Sequence, residues 1–346
     1  MVYQNVCIES LGYCLPDETL TSAELEARLA PLYERLRLPE GRLELMTGIG
    51  VRRFWPPEMP PSEKSVESGQ RAIRASGLDR QQIGALIHAS VCRDYLEPAT
   101  ACRVHHQLGL PAECLIYDVS NACLGILNGM LQVANMIELG QIRAGLIVGT
   151  ESGRQLVEGT IDWLNRSEYL TRDDVKLAVA SLTIGSASAA VLLTHRELSQ
   201  SGHRLLAATA RAHTAHHELC HGGGNPSPGS QLLMTTDSER LMHEGITTGA
   251  ATFRAFLRET GWSRAQISRT FCHQVGSAHR KRMLEALELS LERDFTTFEW
   301  LGNTGSVALP VTMAIGIERG MLASGDRVAM LGIGSGINCL MLAMEW

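Results

Sequence analysis

Cys123 is the residue of this chain best suited to covalent chemistry. It lies in the run Asp118-Val-Ser-Asn-Ala-Cys-Leu-Gly-Ile-Leu-Asn-Gly-Met130. Before it, Cys114-Leu-Ile-Tyr117 reads as a short buried strand. After it, Leu124, Leu127, Leu131, Val133, Ala134 and Ile137 recur at helical spacing up to Gly140, a natural helix stop. The thiol is therefore expected at a strand-to-helix turn. There the unpaired N–H groups and the positive end of the helix dipole favour a thiolate and lower the thiol's pKa. Small neighbours, Ala122 and Gly125, would let a carbonyl approach the sulfur. The commoner fate of a free thiol is a structural place in a core, and the local pattern alone does not separate the two.

Internal repetition brings a second set of residues into view. The shift that lays Cys123 on Asn303 also pairs Gly125 with Gly305, Ala134 with Ala314, Ile137 with Ile317, Glu138 with Glu318 and Gly140 with Gly320. A slightly longer shift pairs Gly77 with Gly261, Arg80 with Arg264, Gln82 with Gln266, Ile83 with Ile267 and Val91 with Val275, and lays Ala89 on His273. The identities come in chain order and join matching elements, so the chain reads as a duplicated α/β unit whose copies have diverged at the site. Cys123, His273 and Asn303 each follow a strand-like run, and ligands of open α/β sheets bind beyond the carboxyl ends of strands. A thiolate, an imidazole and an amide suit acyl transfer onto sulfur followed by carbon–carbon bond formation. The enolate of a second thioester needs donors aimed at its oxygen, which His273 and Asn303 can supply. A hydrolase would want a carboxylate behind the histidine, and none is near His273 in sequence.

The elements that must position these residues are legible in outline. Val2 to Leu11 reads as a strand, and Thr21-Ser-Ala-Glu24 is a capping-box pattern opening a helix. Thr47 to Trp55 is a glycine-punctuated basic and aromatic segment, and Ser62 is an expected N-cap for a helix to about Ala75. Ile83–Val91, Ala144–Gly149 and Ser186–Leu193 read as strands and Ala99–Leu108 as a helix. Strands alternating with helices argue an α/β fold. At 346 residues, 45% hydrophobic and 20% charged, the chain is globular with room for a large core. Its net charge of −6 gives no footprint for nucleic acid, and no apolar run reaches membrane-spanning length. The absence of a signal-peptide pattern and nine scattered cysteines, an odd number, point to reduced thiols and a cytoplasmic location.

Four motifs together resemble one family. Asn121-Ala-Cys123-Leu-Gly, Cys272-His273-Gln-Val, Gly302-Asn303-Thr-Gly-Ser-Val-Ala-Leu-Pro310 and Gly332-Ile-Gly-Ser-Gly336 are similar to signatures of the ketoacyl-ACP synthase III branch of the thiolase superfamily, in order and spacing. Within it, Arg93-Asp-Tyr-Leu-Glu-Pro-Ala-Thr100, Asn128-Gly-Met and Leu331 to Cys339 most resemble the enzymes that join two long-chain acyl-CoAs head to head in bacterial hydrocarbon biosynthesis. The resemblance implies a thiolase fold: two pseudo-two-fold-related halves in a layered αβαβα core, expected over residues 1–200 with the nucleophile and 201–346 with the His and Asn. It implies Cys123 as nucleophile, His273 and Asn303 as oxyanion partners, and Glu97 as the base that takes an α-proton in an apolar, base-strengthening pocket. It further implies Arg52 and Arg53 at the phosphates of CoA, and Gly334, Ser335 and Gly336 as a glycine loop donating N–H groups to the acyl-enzyme oxyanion.

The expected chemistry is a non-decarboxylative Claisen condensation of two long-chain acyl-CoAs to a 2-alkyl-3-keto acid. The alternative is a decarboxylative 3-oxoacyl-ACP synthase III fed by malonyl-ACP, which needs no strong base at Glu97; without the resemblance, Glu97 is an ordinary surface or capping residue. CoA thioesters, or acyl-ACP, are substrates and no cofactor is expected to stay bound. A homodimer is expected, with Ser186–Leu193 and the helix after Glu97 at its interface, and downstream pathway enzymes as further partners. The run His213, His216, His217, Cys220, His221 has the density of a metal site, but nothing identifies a closed ligand set, so it is expected to line the entrance ahead of Gly222-Gly-Gly-Asn-Pro with no metal. Gly332–Gly336 mimics a nucleotide loop, but too little chain follows for a βαβ unit.

Overall fold

A computed structural model describes residues 1–223 and 233–346. Part of the glycine-rich stretch after Gly222, expected to line the entrance, falls outside the described residues. The chain runs β1 (Val6–Cys14), β2 (Glu18–Thr21), α1 (Ser22–Arg28), α2 (Ala30–Leu36), α3 (Arg42–Thr47), β3 (Val51–Phe54), α4 (Pro61–Ser76) and β4 (Ala85–Ala89). It continues through α5 (Thr100–Leu108), β5 (Leu115–Val119), α6 (Gly125–Glu138), β6 (Ala144–Glu151), α7 (Arg154–Arg166), α8 (Arg172–Leu182), β7 (Ala187–His195) and β8 (Arg204–Ala212). The remainder is β9 (Cys220–Gly222), β10 (Met234–Thr236), α9 (Ser238–Thr260), β11 (Arg269–Cys272), α10 (Ser277–Leu287), α11 (Phe298–Leu301), α12 (Ala308–Glu318), β12 (Arg327–Gly334) and β13 (Asn338–Glu345).

Nine strands form one sheet in the order β11-β12-β13-β8-β1-β7-β6-β4-β5. Its two parts repeat one pattern of pairing. β4 is parallel to β6, which is antiparallel to β7, which is antiparallel to β1. Likewise β11 is parallel to β12, which is antiparallel to β13, which is antiparallel to β8. Only the pair Cys7 and Arg204 joins β1 to β8 in register. This is the duplicated unit that the paired identities announced.

Strand alternation builds the layers. On β7, Ala187, Ala189, Val191 and Leu193 face an inner core, while Ala190 and Leu192 face an outer one. On β12, Val328 and Met330 face the same inner core, while Ala329, Leu331 and Ile333 face a different outer one. Helices α6 and α12 fill the inner layer between the two strand sets. α12 is buried on every face from Ala308 to Gly316, which is why its sequence is apolar all round and shows no amphipathic stripe. α4 and α5 cover one outer face, α9 and α10 the other. The result is the αβαβα order.

Three expectations need correction. Ser62 does not cap α4: the helix begins at Pro61, where a fixed φ suits the first turn, and the Ser62 hydroxyl is buried without a partner among the described residues. The strand after Cys114 is an edge strand in this chain, with Leu115 51% exposed. The small-residue strand expected at a subunit interface, β7, lies wholly inside the sheet between β1 and β6, so its alanines serve close packing under α4 and α6 instead. The capping box at Thr21 and Glu24 is present as read.

Candidate active site

The turn that carries Cys123 is built by backbone more than by side chains. Leu124 donates its N–H to the Asn121 carbonyl at 2.9 Å, and Ala122 takes a φ of 44°, the left-handed region that a non-glycine residue rarely enters. The helix proper starts at Gly125, so Cys123 stands two positions ahead of it. Gly125 is required by packing: a Cβ there would stand 3.0 Å from the Ala89 carbonyl oxygen and 3.3 Å from the Ser306 Cβ. The glycine thus brings the nucleophile's helix against the end of β4 and the loop after Asn303, a role different from the substrate clearance expected of it.

Burial pushes the Cys123 thiol up to about 12, with the nearby Cys220 and Glu151 adding to the rise and the residue's own backbone hydrogen bond opposing it. The sequence suggested a lowered value from the helix N-terminus. The correction follows from geometry, since the thiol sits before the helix and in a site where desolvation outweighs the dipole. The resting residue is a thiol.

The glycine loop closes over it. A Cβ added at Gly334 would lie 3.5 Å from the Cys123 amide nitrogen and 3.6 Å from its Cβ, and one at Gly332 would lie 2.8 Å from Leu124 and Leu127 side chains. An amide chain locks the two loops together: Asn121 Nδ2 donates to Asn128 Oδ1 at 2.8 Å, Asn338 Nδ2 donates to Asn121 Oδ1 at 3.2 Å, and it also reaches the Ser335 carbonyl at 3.3 Å. Ile337 exchanges backbone hydrogen bonds with His213, at 2.8 and 3.2 Å.

His273 follows β11 directly, and its N–H donates to the Leu331 carbonyl of β12 at 3.2 Å, three residues before Gly334. The ring is buried. Desolvation, helped by His279, holds its pKa down to about 3, so the imidazole is neutral near pH 7. Its Nδ1 has no partner among the described residues. Gln274 anchors the segment by donating to the Cys272 carbonyl at 2.6 Å and accepting the Thr297 N–H at 3.0 Å. Asn303 is held by its backbone, N–H to Thr183 O and carbonyl to Gly185 N–H, both 2.9 Å. Its Oδ1 accepts the Gly305 N–H at 3.0 Å, which fixes the amide and leaves Nδ2–H free to donate. Cys123 touching Gly334, Gly125 against Ser306 and His273 bonded to Leu331 bring the three residues to one end of the sheet.

Glu97 is placed differently from its expectation. It is exposed on the loop between β4 and α5, beside Leu96, which is 98% exposed, and it has no hydrogen-bond partner among the described residues. Among the described residues no apolar pocket surrounds it. The buried carboxylate at the site is Glu151, which the sequence reading missed. It accepts from Val91 N–H at 3.0 Å, Cys92 N–H at 3.3 Å and Ser306 Oγ at 2.5 Å. Its signal is an acidic residue ending a mostly apolar strand, Ala144–Glu151, that is buried along its whole length. In the sequence Cys220 stands out only as one of the metal-like residues, and its nearness to Cys123 comes from folding alone.

Arg52 and Arg53 do not offer themselves to phosphates. Arg52 is 1% exposed, packs its Cβ under Gly302, donates to Ser22 Oγ at 2.9 Å, and is held down to about 10 by burial. Arg53 is half-buried and donates to the Pro16 carbonyl at 2.8 Å. A cavity of about 450 Å³ lies in the helical cap formed by α1–α3, α7 and α8, and neither arginine lines it. Leu32, Leu43, Val179 and Leu182 make it apolar, and Arg42 and Lys176 also line it. Leu182 precedes Thr183, the backbone partner of Asn303.

A layered duplicated fold with a Cys, a His and an Asn gathered at the strand ends defines a thiolase-type condensing enzyme. Sequence profiles agree: the thiolase N-terminal domain matches residues 45–213, and the C-terminal domain of 3-oxoacyl-[acyl-carrier-protein] synthase III matches residues 257–346. The chain is 43% identical to the acyl-CoA:acyl-CoA alkyltransferase of Shewanella oneidensis over all of both chains. It is 34% identical to that of Xanthomonas campestris, again over all of both. Crystal structures of Xanthomonas campestris OleA match with TM-scores of 0.94 and 0.93, the first covering 100% of this chain and 98% of that one, the second 99% and 100%. A structure named 3-oxoacyl-(acyl carrier protein) synthase III, from Xanthomonas oryzae, matches with a TM-score of 0.93 at 34% identity over all of both chains. The chain belongs to the thiolase superfamily, in the group of the acyl-CoA:acyl-CoA alkyltransferases, and is an acyl-transferring enzyme that forms carbon–carbon bonds.

Proposed function

We propose that this enzyme condenses two long-chain acyl-CoAs without decarboxylation, through an acyl thioester on Cys123. The observation that supports it most directly is the gathering at one end of the sheet of Cys123 under the glycine loop, His273 bonded beside that loop's strand, and Asn303 with its Nδ2–H left free to donate. Cys123 Sγ attacks the first thioester and CoA leaves with the thiol proton. Backbone N–H groups of the loop Gly334, Ser335 and Gly336 stabilise the tetrahedral oxyanion. The second acyl-CoA loses its α-proton to Glu97, and its enolate oxygen is held by an N–H of His273 and by Asn303 Nδ2–H. The carbanion then displaces Cys123 from the acyl carbonyl, and hydrolysis of the remaining CoA thioester gives the 2-alkyl-3-keto acid.

Relatives support this assignment. OleA of Xanthomonas campestris was crystallised with lauric acid and lauroyl-CoA. Its structures include replacements of a cysteine, of a histidine, and of a glutamate that stands as many positions before that cysteine as Glu97 stands before Cys123. The apolar cavity suits an acyl chain, and Arg42 and Lys176 are better placed than Arg52 for CoA phosphates. The exposure of Glu97 next to the bare side chains of Tyr95 and Leu96 fits a homodimer in which the loop enters the partner's site. The reaction draws on cytoplasmic acyl-CoA and needs no resident cofactor. Among the described residues no helix is long and apolar enough to cross a membrane.

Intact-mass analysis after incubation with an acyl-CoA tests the loading step. Wild type should gain one acyl group and Cys123→Ser none; a wild type acylated at another residue would overturn the assignment. His273→Ala and Asn303→Ala should still load, while product formation falls on the order of 10²–10³-fold.

A further inference from the structure

The histidine-rich run offered metal-ligand residue types but no closed set, and the fold divides it. His217 is exposed, and the His221 ring lies 3.2 Å from the Glu218 carbonyl. His213 and His216 face each other, with ring centroids 4.4 Å apart and planes at 87°. Glu244 of α9 joins them from a distant part of the chain: His216 Nε2 lies 3.3 Å from Glu244 Oε2, and the ligand-capable atoms of all three lie within 4.8 Å of one another. A tetrahedral ion with bonds of about 2.0–2.1 Å sets its ligand atoms roughly 3.3 Å apart, so the His216–Glu244 edge already has the required length.

The surroundings also select the right form of His213. Thr248 donates its single hydroxyl proton to the Glu244 carbonyl at 2.8 Å. Opposite His213 Nδ1, at 3.2 Å, its oxygen therefore acts as acceptor. Nδ1 carries the ring proton and Nε2 keeps its lone pair, the arrangement by which a neighbouring oxygen orients a metal-binding histidine. We propose that His213, His216 and Glu244 bind one divalent transition-metal ion, Zn²⁺ being the best match to two imidazoles and a carboxylate, with water completing the shell. The ion ties α9 to the segment whose residue 213 exchanges backbone hydrogen bonds with Ile337, immediately after the Gly334–Gly336 loop. It stands outside the reacting groups and acts as a clamp on the wall of the site.

Chelator-treated full-length protein titrated with Zn²⁺ by calorimetry and with Co²⁺ by visible absorption tests the site. The expected result is one ion per chain and cobalt d–d bands without the near-ultraviolet thiolate-to-cobalt band. His216→Ala and Glu244→Gln should each abolish that binding, and His217→Ala should leave it unchanged. Thr248→Val keeps all three ligands and should weaken binding by roughly 10–100-fold. Thermal unfolding of metal-free variants checks that each is folded. A thiolate band, which would put the ion on Cys220 or Cys123, would overturn the proposal, as would binding by the folded His216→Ala and Glu244→Gln proteins equal to wild type. The absence of binding to wild type at micromolar Zn²⁺ would also overturn it.

Discussion

Cys123 and His273 are both neutral in the resting enzyme, one because burial raises its pKa to about 12, the other because burial lowers its own to about 3. Below its raised pKa a thiol exists as thiolate only in a small fraction, which increases about tenfold for each unit that the pH rises. Alkylation of Cys123 by iodoacetamide, followed by mass spectrometry from pH 6 to 10, should therefore rise steadily across the whole range. A plateau beginning near neutrality would indicate a standing thiolate–imidazolium pair and contradict this reading. At this scale the sequence told identity well and environment poorly. Cys123, His273 and Asn303 stood out because residue type and repeat position are local properties. The direction of the thiol's shift did not, because the burial that raises it, with the charges of Cys220 and Glu151 adding to the rise, is assembled from distant segments. Arg52 failed for the same reason: a basic pair reads as exposed until Gly302 is found packed upon it.

Between elements, the site depends on a few polar cross-links, and Glu151 is the most connected of them. Its carboxylate holds the first residues of the loop that carries Glu97, through Val91 and Cys92, and the loop after Asn303, through Ser306. Glu151→Gln replaces an acceptor by an NH₂ group facing donors, and leaving a buried donor without its partner costs about 1–3 kcal/mol. The denaturant midpoint should fall accordingly, with the slope of the transition unchanged; an unaltered midpoint would show that the cross-link contributes nothing. Most strands and helices were legible because apolar periodicity marks them, as in the β4 and β6 runs and the capping box at Thr21. What could not be read was which strand lies at an edge. Leu115 and Val191 sit in similar apolar runs, and only the order of strands leaves one half exposed and buries the other.

At the scale of the molecule, the duplicated pairing pattern explains why a Cys from one copy meets a His and an Asn from the other. It does not account for Glu97, which faces solvent in the single chain. If its loop enters the partner's site, a mixture of Cys123→Ser and Glu97→Gln chains, refolded or co-expressed as mixed dimers, should regain up to one wild-type site per dimer. Two inactive variants that stay inactive in verified mixed dimers would show instead that each chain uses its own glutamate. The central claim is that an α-proton is removed by Glu97 without loss of CO₂, and product formation by Glu97→Gln from two acyl-CoAs, beside its loading, measures it most directly. The variant keeps the shape and loses the base. It should load Cys123 as wild type does and form almost no 3-keto product. A Glu97→Gln enzyme that turns over like wild type, with both active only when a malonyl thioester is supplied, would contradict the account and identify a decarboxylative synthase.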